Sequence, residues 1–304
     1  MAKISGRKHR HIAARAAAAA LTAALVGTGT SAVAADSPNA QPSLGAGVAQ
    51  PSAAAAAAAA TAPIFALYGI DSTGAAYSYA PTGQGGLTAR VKAGSGWQPV
   101  NSVLQVDNGG DGEADGIWSR EGSTLYYQNF DVTTPTKVGS GWNIYNKLVS
   151  PGNLGGAAAS DLLGRDSSGN LYLYLNYGNG KLTGRYKVGS GWNIYNQIAG
   201  NGDLTGDGKN DIVARDSAGI LWLYKGTGNY KAPFATRTKI GAGWNTYNYL
   251  ISSGDLNLDG TTDLIARDKA GALWSYQGTG NAAAPYKARV QIGTSGWNTY
   301  RLMF

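Results

Sequence analysis

Two nine-residue stretches, "DLTGDGKND" at 203–211 and "DLNLDGTTD" at 255–263, place oxygen-bearing side chains at alternate positions. In the first, Asp203, Thr205, Asp207 and Asp211 stand at positions 1, 3, 5 and 9, with Gly208 at position 6 and the Lys209 carbonyl at position 7. In the second, Asp255, Asn257, Asp259 and Asp263 stand likewise, with Gly260 and the carbonyl of Thr261. A hard cation such as Ca²⁺ takes about six to eight oxygen ligands, and a loop turned by Gly at position 6 delivers alternate side chains to one point. Mg²⁺ is less suited, because it demands tighter octahedral geometry and keeps its waters. Asp and Gly favour turns on their own, but turn chemistry does not require acids at positions 1, 5 and 9 together. The spacing predicts Ca²⁺ in both loops.

Two further copies decay. "DNGGDGEAD" keeps Asp107, Asp111 and Asp115, with Glu113 at position 7, but Gly109 supplies no side chain at position 3. "NLGGAAASD" keeps only Asn153 and Asp161, and Ala157 removes the central carboxylate, so that copy is expected to have lost its ion. The expected role of the cation is structural. It neutralises clustered carboxylates and ties two strands together in a chain with no cysteine, hence no disulfide. Extracellular modules of this kind bind at about 10⁻⁴ to 10⁻³ M.

These loops sit inside a larger repetition. "KVGSGWNIYN" occurs identically at 137–146 and 187–196, and its Gly-Trp pair recurs at Trp97, Trp142, Trp192, Trp244 and Trp297. Such a period, roughly 50 residues, marks a repeat architecture. Between Trp192 and Trp244 lie "IYNQIA", "DIVARD", "ILWLYKG" and "TRTKIGAGW", short apolar-alternating segments that read as strands a, b, c and d. Asp-Gly turns such as "RDSAG" join b to c. Four short antiparallel strands per period describe a propeller blade. The chain is therefore expected to be all-β: a five-bladed β-propeller. The first segment, "IFALYGID", reads as a strand b without an a, and the last, "NTYRLMF", as an a without a b. Pairing of 297–304 with 64–70 then completes the first blade from both termini and leaves no open edge.

The segments "GDLTGDGKNDIVARDSAG" and "GDLNLDGTTDLIARDKAG" resemble the FG-GAP or VCBS-type repeat of bacterial secreted proteins. The Gly-Trp after each strand d, in five periods, is similar in layout to tachylectin-type five-bladed lectins. The resemblance covers residues 62–304 and implies a calcium-binding propeller that recognises carbohydrate.

The N-terminal end carries different information. Lys3, Arg7, Lys8, Arg10 and Arg15 precede an apolar Ala-rich run ending in small residues, so 1–35 reads as a secretory signal peptide and the protein as secreted. Residues 36–62, rich in Ala, Pro and Ser, read as a disordered linker. The propeller is expected over 63–304. Loss of the leader removes five cations and leaves 20 basic against 18 acidic residues, so charge gives no support to a nucleic-acid partner, and no membrane insertion is expected.

Catalysis is disfavoured. Both histidines, His9 and His11, lie in the leader, and with no cysteine the Ser-His and Cys-His schemes are excluded. A glycoside hydrolase needs two carboxyls across the scissile bond, yet the only glutamates are Glu113 and Glu121, one in an acidic loop and one in a turn. Binding suits the composition better. Trp142, Asn143 and Tyr145 recur as Trp192, Asn193 and Tyr195, as Trp244, Asn245 and Tyr247, and as Trp297, Asn298 and Tyr300. Flat aromatic faces beside carboxamides suit a sugar, so these are the candidate glycan residues of a monomeric lectin-like or adhesion module. The competing expectation for the Trp and Tyr residues is packing between blades. An alternative function is a protein-binding subunit of a larger secreted assembly.

Overall fold

The computed structural model describes residues 62–304, so the expected signal peptide and nearly all of the expected linker lie outside the described residues. Twenty strands form five sheets of four. In the first blade β1 (Leu67–Asp71), β2 (Ala76–Tyr79) and β3 (Val91–Gly94) follow one another. The second holds β4 (Val100–Val106), β5 (Gly116–Glu121), β6 (Thr124–Asn129) and β7 (Thr136–Ser140). The third holds β8 (Tyr145–Gly152), β9 (Asp161–Asp166), β10 (Leu171–Tyr174) and β11 (Tyr186–Gly189). The fourth holds β12 (Tyr195–Ala199), β13 (Ile212–Asp216), β14 (Leu221–Tyr224) and β15 (Thr238–Gly241). The fifth holds β16 (Tyr247–Gly254), β17 (Asp263–Asp268), β18 (Leu273–Tyr276) and β19 (Val290–Gly293). The last strand, β20 (Tyr300–Met303), returns to the first blade as its innermost member.

The terminal closure is as expected, with adjusted limits. Gly69 pairs with Met303 and Ile70 with Leu302, and Tyr68 and Phe304 exchange backbone bonds beyond them. Residues 297–299 form a 3₁₀ turn instead of strand. Ile64 does not join that pairing; it bridges Gly254 of the fifth blade, while its N–H donates to the Gly112 carbonyl of the second. The segment around Pro63 thus fills the place where the first blade lacks an a–b loop.

Each d-to-a connection is built alike. A glycine in the left-handed region, such as Gly191 at φ 81°, opens the turn and has no Cβ to strain it. The Trp that follows rests its N–H on the b–c turn of the blade just completed, as Trp192 does on Gly169 at 2.9 Å. Apolar side chains then form one core cluster per blade junction, each drawing on two neighbouring blades.

Arginines rivet the junctions. Arg120, Arg165, Arg215 and Arg267 near the ends of their strands b each donate from Nη1 to two carbonyls at the entry of the next strand a. Arg267, for instance, reaches Trp297 O at 2.8 Å and Tyr300 O at 2.9 Å. In three of the four, Nε also donates to an Asn of the blade's own strand a: Asn146, Asn196 and Asn248. Charged donors of this kind are among the stronger hydrogen bonds of a fold.

Candidate functional site

The acidic loops join strands a to b, and their position-9 carboxylates act as backbone staples. Asp211 accepts the Leu204 N–H at 3.0 Å and the Gly226 N–H at 2.8 Å. Asp263 accepts those of Leu256 and Gly278, and Asp161 those of Leu154, Gly155 and Asn176. Each staple fastens its loop to the chain leaving strand c. Asp115 departs, taking the Asn108 and Gly109 N–H groups with one oxygen. This explains why Asp161 persists in a loop that lacks the central acid, a role that spacing alone did not disclose.

Position 1 turns the loop. Asp203 accepts from Thr205, Gly206 and Gly208, Asp255 from Asn257, Asp259 and Gly260, and Asp107 from Gly110 and Gly112. The position-6 glycines, Gly208 and Gly260, are left-handed as their place in the loop requires. Position 5 faces a lysine: Asp207 pairs with Lys225 at 3.0 Å and Asp259 with Lys287 at 3.3 Å. The position-7 residues Glu113, Lys209 and Thr261 donate their N–H groups to Asp111, Asp207 and Asp259.

Burial raises several of these carboxyls against the pull of their N–H partners. Asp107, Asp161 and Asp211 are pushed up to about 6 and Asp263 to about 7, with Asp203 adding to Asp211, and Asp255 and Asp259 to Asp263. Among the described residues no group of three or more acidic or histidine side chains is arranged to hold a metal ion. One atom in the fourth loop nevertheless fits a cation. Thr205 Oγ1, the position-3 oxygen, is buried beside the Asp211 carboxyl, whose pKa its hydroxyl draws down, and the oxygens around it are of the hard type Ca²⁺ accepts. In the fifth loop the equivalent Asn257 is committed, donating from Nδ2 to Asp259 at 2.9 Å.

The candidate sugar residues divide. Trp142, Trp192, Trp244 and Trp297 are buried, as are Tyr145, Tyr195, Tyr247 and Tyr300. Their rings pack on a strand-c tyrosine: Trp192 lies 4.6 Å from Tyr224, and the Tyr195 and Tyr224 hydroxyls meet at 2.6 Å. The same triads are Trp142, Tyr145 and Tyr174; Trp244, Tyr247 and Tyr276; and Trp297, Tyr300 and Tyr79. The flat faces expected to meet a sugar are thus spent on blade packing. Asn143, Asn193, Asn245 and Asn298 are exposed, with Asn245 and Asn298 tied to the carbonyls of Ser217 and Lys269.

An arginine that the sequence reading passed over borders each triad. Arg185 stacks 4.4 Å over Tyr172 and donates to the Tyr145 hydroxyl at 3.4 Å. Arg289 stacks 4.1 Å over Trp274 and donates to the Tyr247 hydroxyl at 2.6 Å. Arg237 repeats this on Trp222 and Tyr195, and Arg90 lies over Tyr77 beside Tyr300. Among the described residues none of the four forms an ion pair. The signal was present in the sequence: an Arg just before strand d in every blade except the second, where Pro135 stands.

Comparison with known proteins adds the following. No curated protein matches the chain. A solved lectin from Burkholderia pseudomallei aligns at 14% identity over 75% of this chain and 69% of its own, with a TM-score of 0.46. A calcium-binding protein, regucalcin, from Agrobacterium tumefaciens aligns at 12% identity over 76% of this chain and 78% of its own, with a TM-score of 0.41. Likeness at these identities is one of fold. Within the chain, residues 203–266, running from the acidic loop of the fourth blade through that of the fifth, match the model of the family described as FG-GAP-like repeat.

Proposed function

We propose that this protein is a secreted, non-catalytic binding module that recognises carbohydrate at repeated sites along its blade junctions and is stabilised by calcium. One observation carries the reading. Four junctions present the same arrangement, a guanidinium, exposed in Arg90, Arg185 and Arg289 and half-buried in Arg237, lying on an aromatic face with a buried tyrosine at its edge. Arg N–H donors and phenol oxygens match the alternating donors and acceptors of a saccharide. The nearby Asn143, Asn193, Asn245 and Asn298 add exposed carboxamides. Weak sites repeated around a ring gain avidity when a glycan surface engages several at once.

Calcium belongs to this reading through the acidic loops. Asp203, Thr205, Asp207 and Asp211, with the Lys209 carbonyl, would hold it in the fourth loop, and Asp255, Asn257, Asp259, Asp263 and the Thr261 carbonyl in the fifth. Asp107, Asp111, Asp115 and Glu113 form a poorer set. The ion supplies charge neutralisation, which lets buried carboxylates stay ionised.

A protein partner is the second reading, favoured by Val91 and Val290, each 54% exposed on the outer strands. A glycan array probed with the purified chain, in calcium and after chelation, separates the two. Saccharide binding that weakens on chelation and on Arg237→Ala supports the proposal. Absence of binding from a folded sample, or binding to a protein partner that free saccharide does not displace, overturns it.

A further inference from the structure

The innermost strands of all five blades enclose a central cavity of about 250 Å³. Its lining holds one charged side chain, Lys147, and no side-chain carboxylate. Lys147 lies on β8 of the third blade, yet its Nζ is 5.9 Å from the ring centre of Tyr249 on β16 of the fifth. These blades are not neighbours, so the ammonium reaches across the channel. Among the described residues it forms no ion pair. Burial, reinforced by Arg165, pushes its pKa down to about 8, which leaves it mainly charged at neutral pH.

The surroundings sharpen the imbalance. Five riveting arginines, Arg120, Arg165, Arg215, Arg267 and Arg301, stand at the blade junctions outside the lining, and each spends donors on neutral carbonyls. Asp216 and Asp71 temper Arg215 and Arg301 without forming ion pairs. A cleft whose surroundings carry one sign of charge concentrates counter-ions there. A partly buried cation without a partner is costly to keep. The cavity thus offers one cation to an anion, in a lining that also includes the hydroxyl residues Ser102, Ser150 and Ser252.

We infer that the central cavity is a second ligand site, separate from the blade junctions, that takes a small hydroxylated carboxylate, its carboxylate on Lys147 and its hydroxyls against the polar side chains of the lining. The volume falls below the ~300–1,000 Å³ of pockets for drug-sized ligands, which limits the guest to about the size of one sugar acid. A single ammonium answers a monoanion. Phosphate is disfavoured because the lining holds neither an Arg fork nor a nest of free backbone N–H groups to share its second charge.

The test is calorimetric titration of the purified chain with D-galacturonate, D-galactose and inorganic phosphate. Galacturonate should bind saturably, with galactose and phosphate at least tenfold weaker. Lys147→Met and, as a more conservative change, Lys147→Gln should each weaken galacturonate at least tenfold, while Lys137→Ala, at an exposed lysine outside both sites, leaves it unchanged. Thermal unfolding should show both Lys147 variants folded and within a few degrees of the parent, since each removes a charge that has no ion pair. No saturable binding of galacturonate, equal binding of phosphate, or undiminished binding by a folded Lys147 variant would overturn the inference.

Discussion

Arg301 Nη1 donates to the Val100 carbonyl at 2.7 Å, joining the last strand of the chain to the second blade. Its other amino group reaches the Trp97 carbonyl. At the other four junctions the rivet comes from strand b, where the first blade has Ile70. Arg301 occupies the strand-a position that is Asn146, Asn196 and Asn248 elsewhere. The first blade has therefore exchanged the two positions: Ile on b and Arg on a replace Arg on b and Asn on a. One guanidinium still spans each junction.

Removal of this rivet is expected to destabilise the ring measurably. Arg301→Met strands two carbonyls and should cost about 2–3 kcal/mol in urea unfolding, given ~1.5–3 kcal/mol for a charged hydrogen bond. The double variant Ile70→Arg with Arg301→Asn restores the pattern of the other blades and should recover at least half of the loss. No recovery would mean that position, beyond donor chemistry, decides the junction.

The acidic loops give a pH signature of known sign. Asp107, Asp161, Asp211 and Asp263 have folded-state pKa values of about 6 to 7, above the ordinary 3.8, so the folded chain binds more protons than the unfolded chain between about pH 4 and 7. In chelator, stability should therefore be greatest near pH 4, fall as pH rises through that window, and level off above it. Calcium favours the ionised carboxylates and should flatten or reverse the fall. Denaturant midpoints across pH, with and without calcium, check both parts.

Thr205 separates the ion from the loop that holds it. Thr205→Val removes a buried hydroxyl that interacts with the Asp211 carboxyl, so in chelator the variant should lose no more than about 1.5 kcal/mol, the worth of one hydrogen bond. At calcium concentrations about 100 times the dissociation constant a filled site contributes ~2.7 kcal/mol. The variant should lose most of one such increment, visible as a smaller calcium-induced rise in melting temperature.

The aromatic triads and the asparagines beside them should separate stability from binding. Trp192→Ala is expected to cost ~3–5 kcal/mol, as large buried truncations do. Asn193→Ala, at an exposed position, should cost less than ~0.5 kcal/mol while lowering glycan retention. Equal effects on both readouts would remove Asn193 from the ligand surface.

The blade count, the order of strands within each blade and the closure by both ends were legible in the Gly-Trp period, because each blade must offer the same ring to its neighbour. The acidic loops were legible as loops, while the stapling by Asp161 and Asp211 was not, since their partners at Asn176 and Gly226 lie beyond two intervening strands. The Trp and Tyr faces were read as candidate sugar contacts, and whether they reach solvent depends on how adjoining sheets meet, which periodicity does not encode. Arg185, Arg237 and Arg289 went unremarked because a single basic residue before an outer strand reads as ordinary surface charge. Lys147 and Tyr249 are distant in sequence, and only the ring brings them together.

The strand that closes the ring also sets a schedule. Gly69 waits for Met303, which follows it by almost the whole described chain. Blades two to five are each continuous in sequence and can form as the chain emerges, but the first cannot be completed until the final residues are made. Long-range closure of this sort slows folding and leaves a strand edge exposed in the interval. A stalled or clipped chain that lacks its last few residues would keep that edge, and would be the species most prone to self-association.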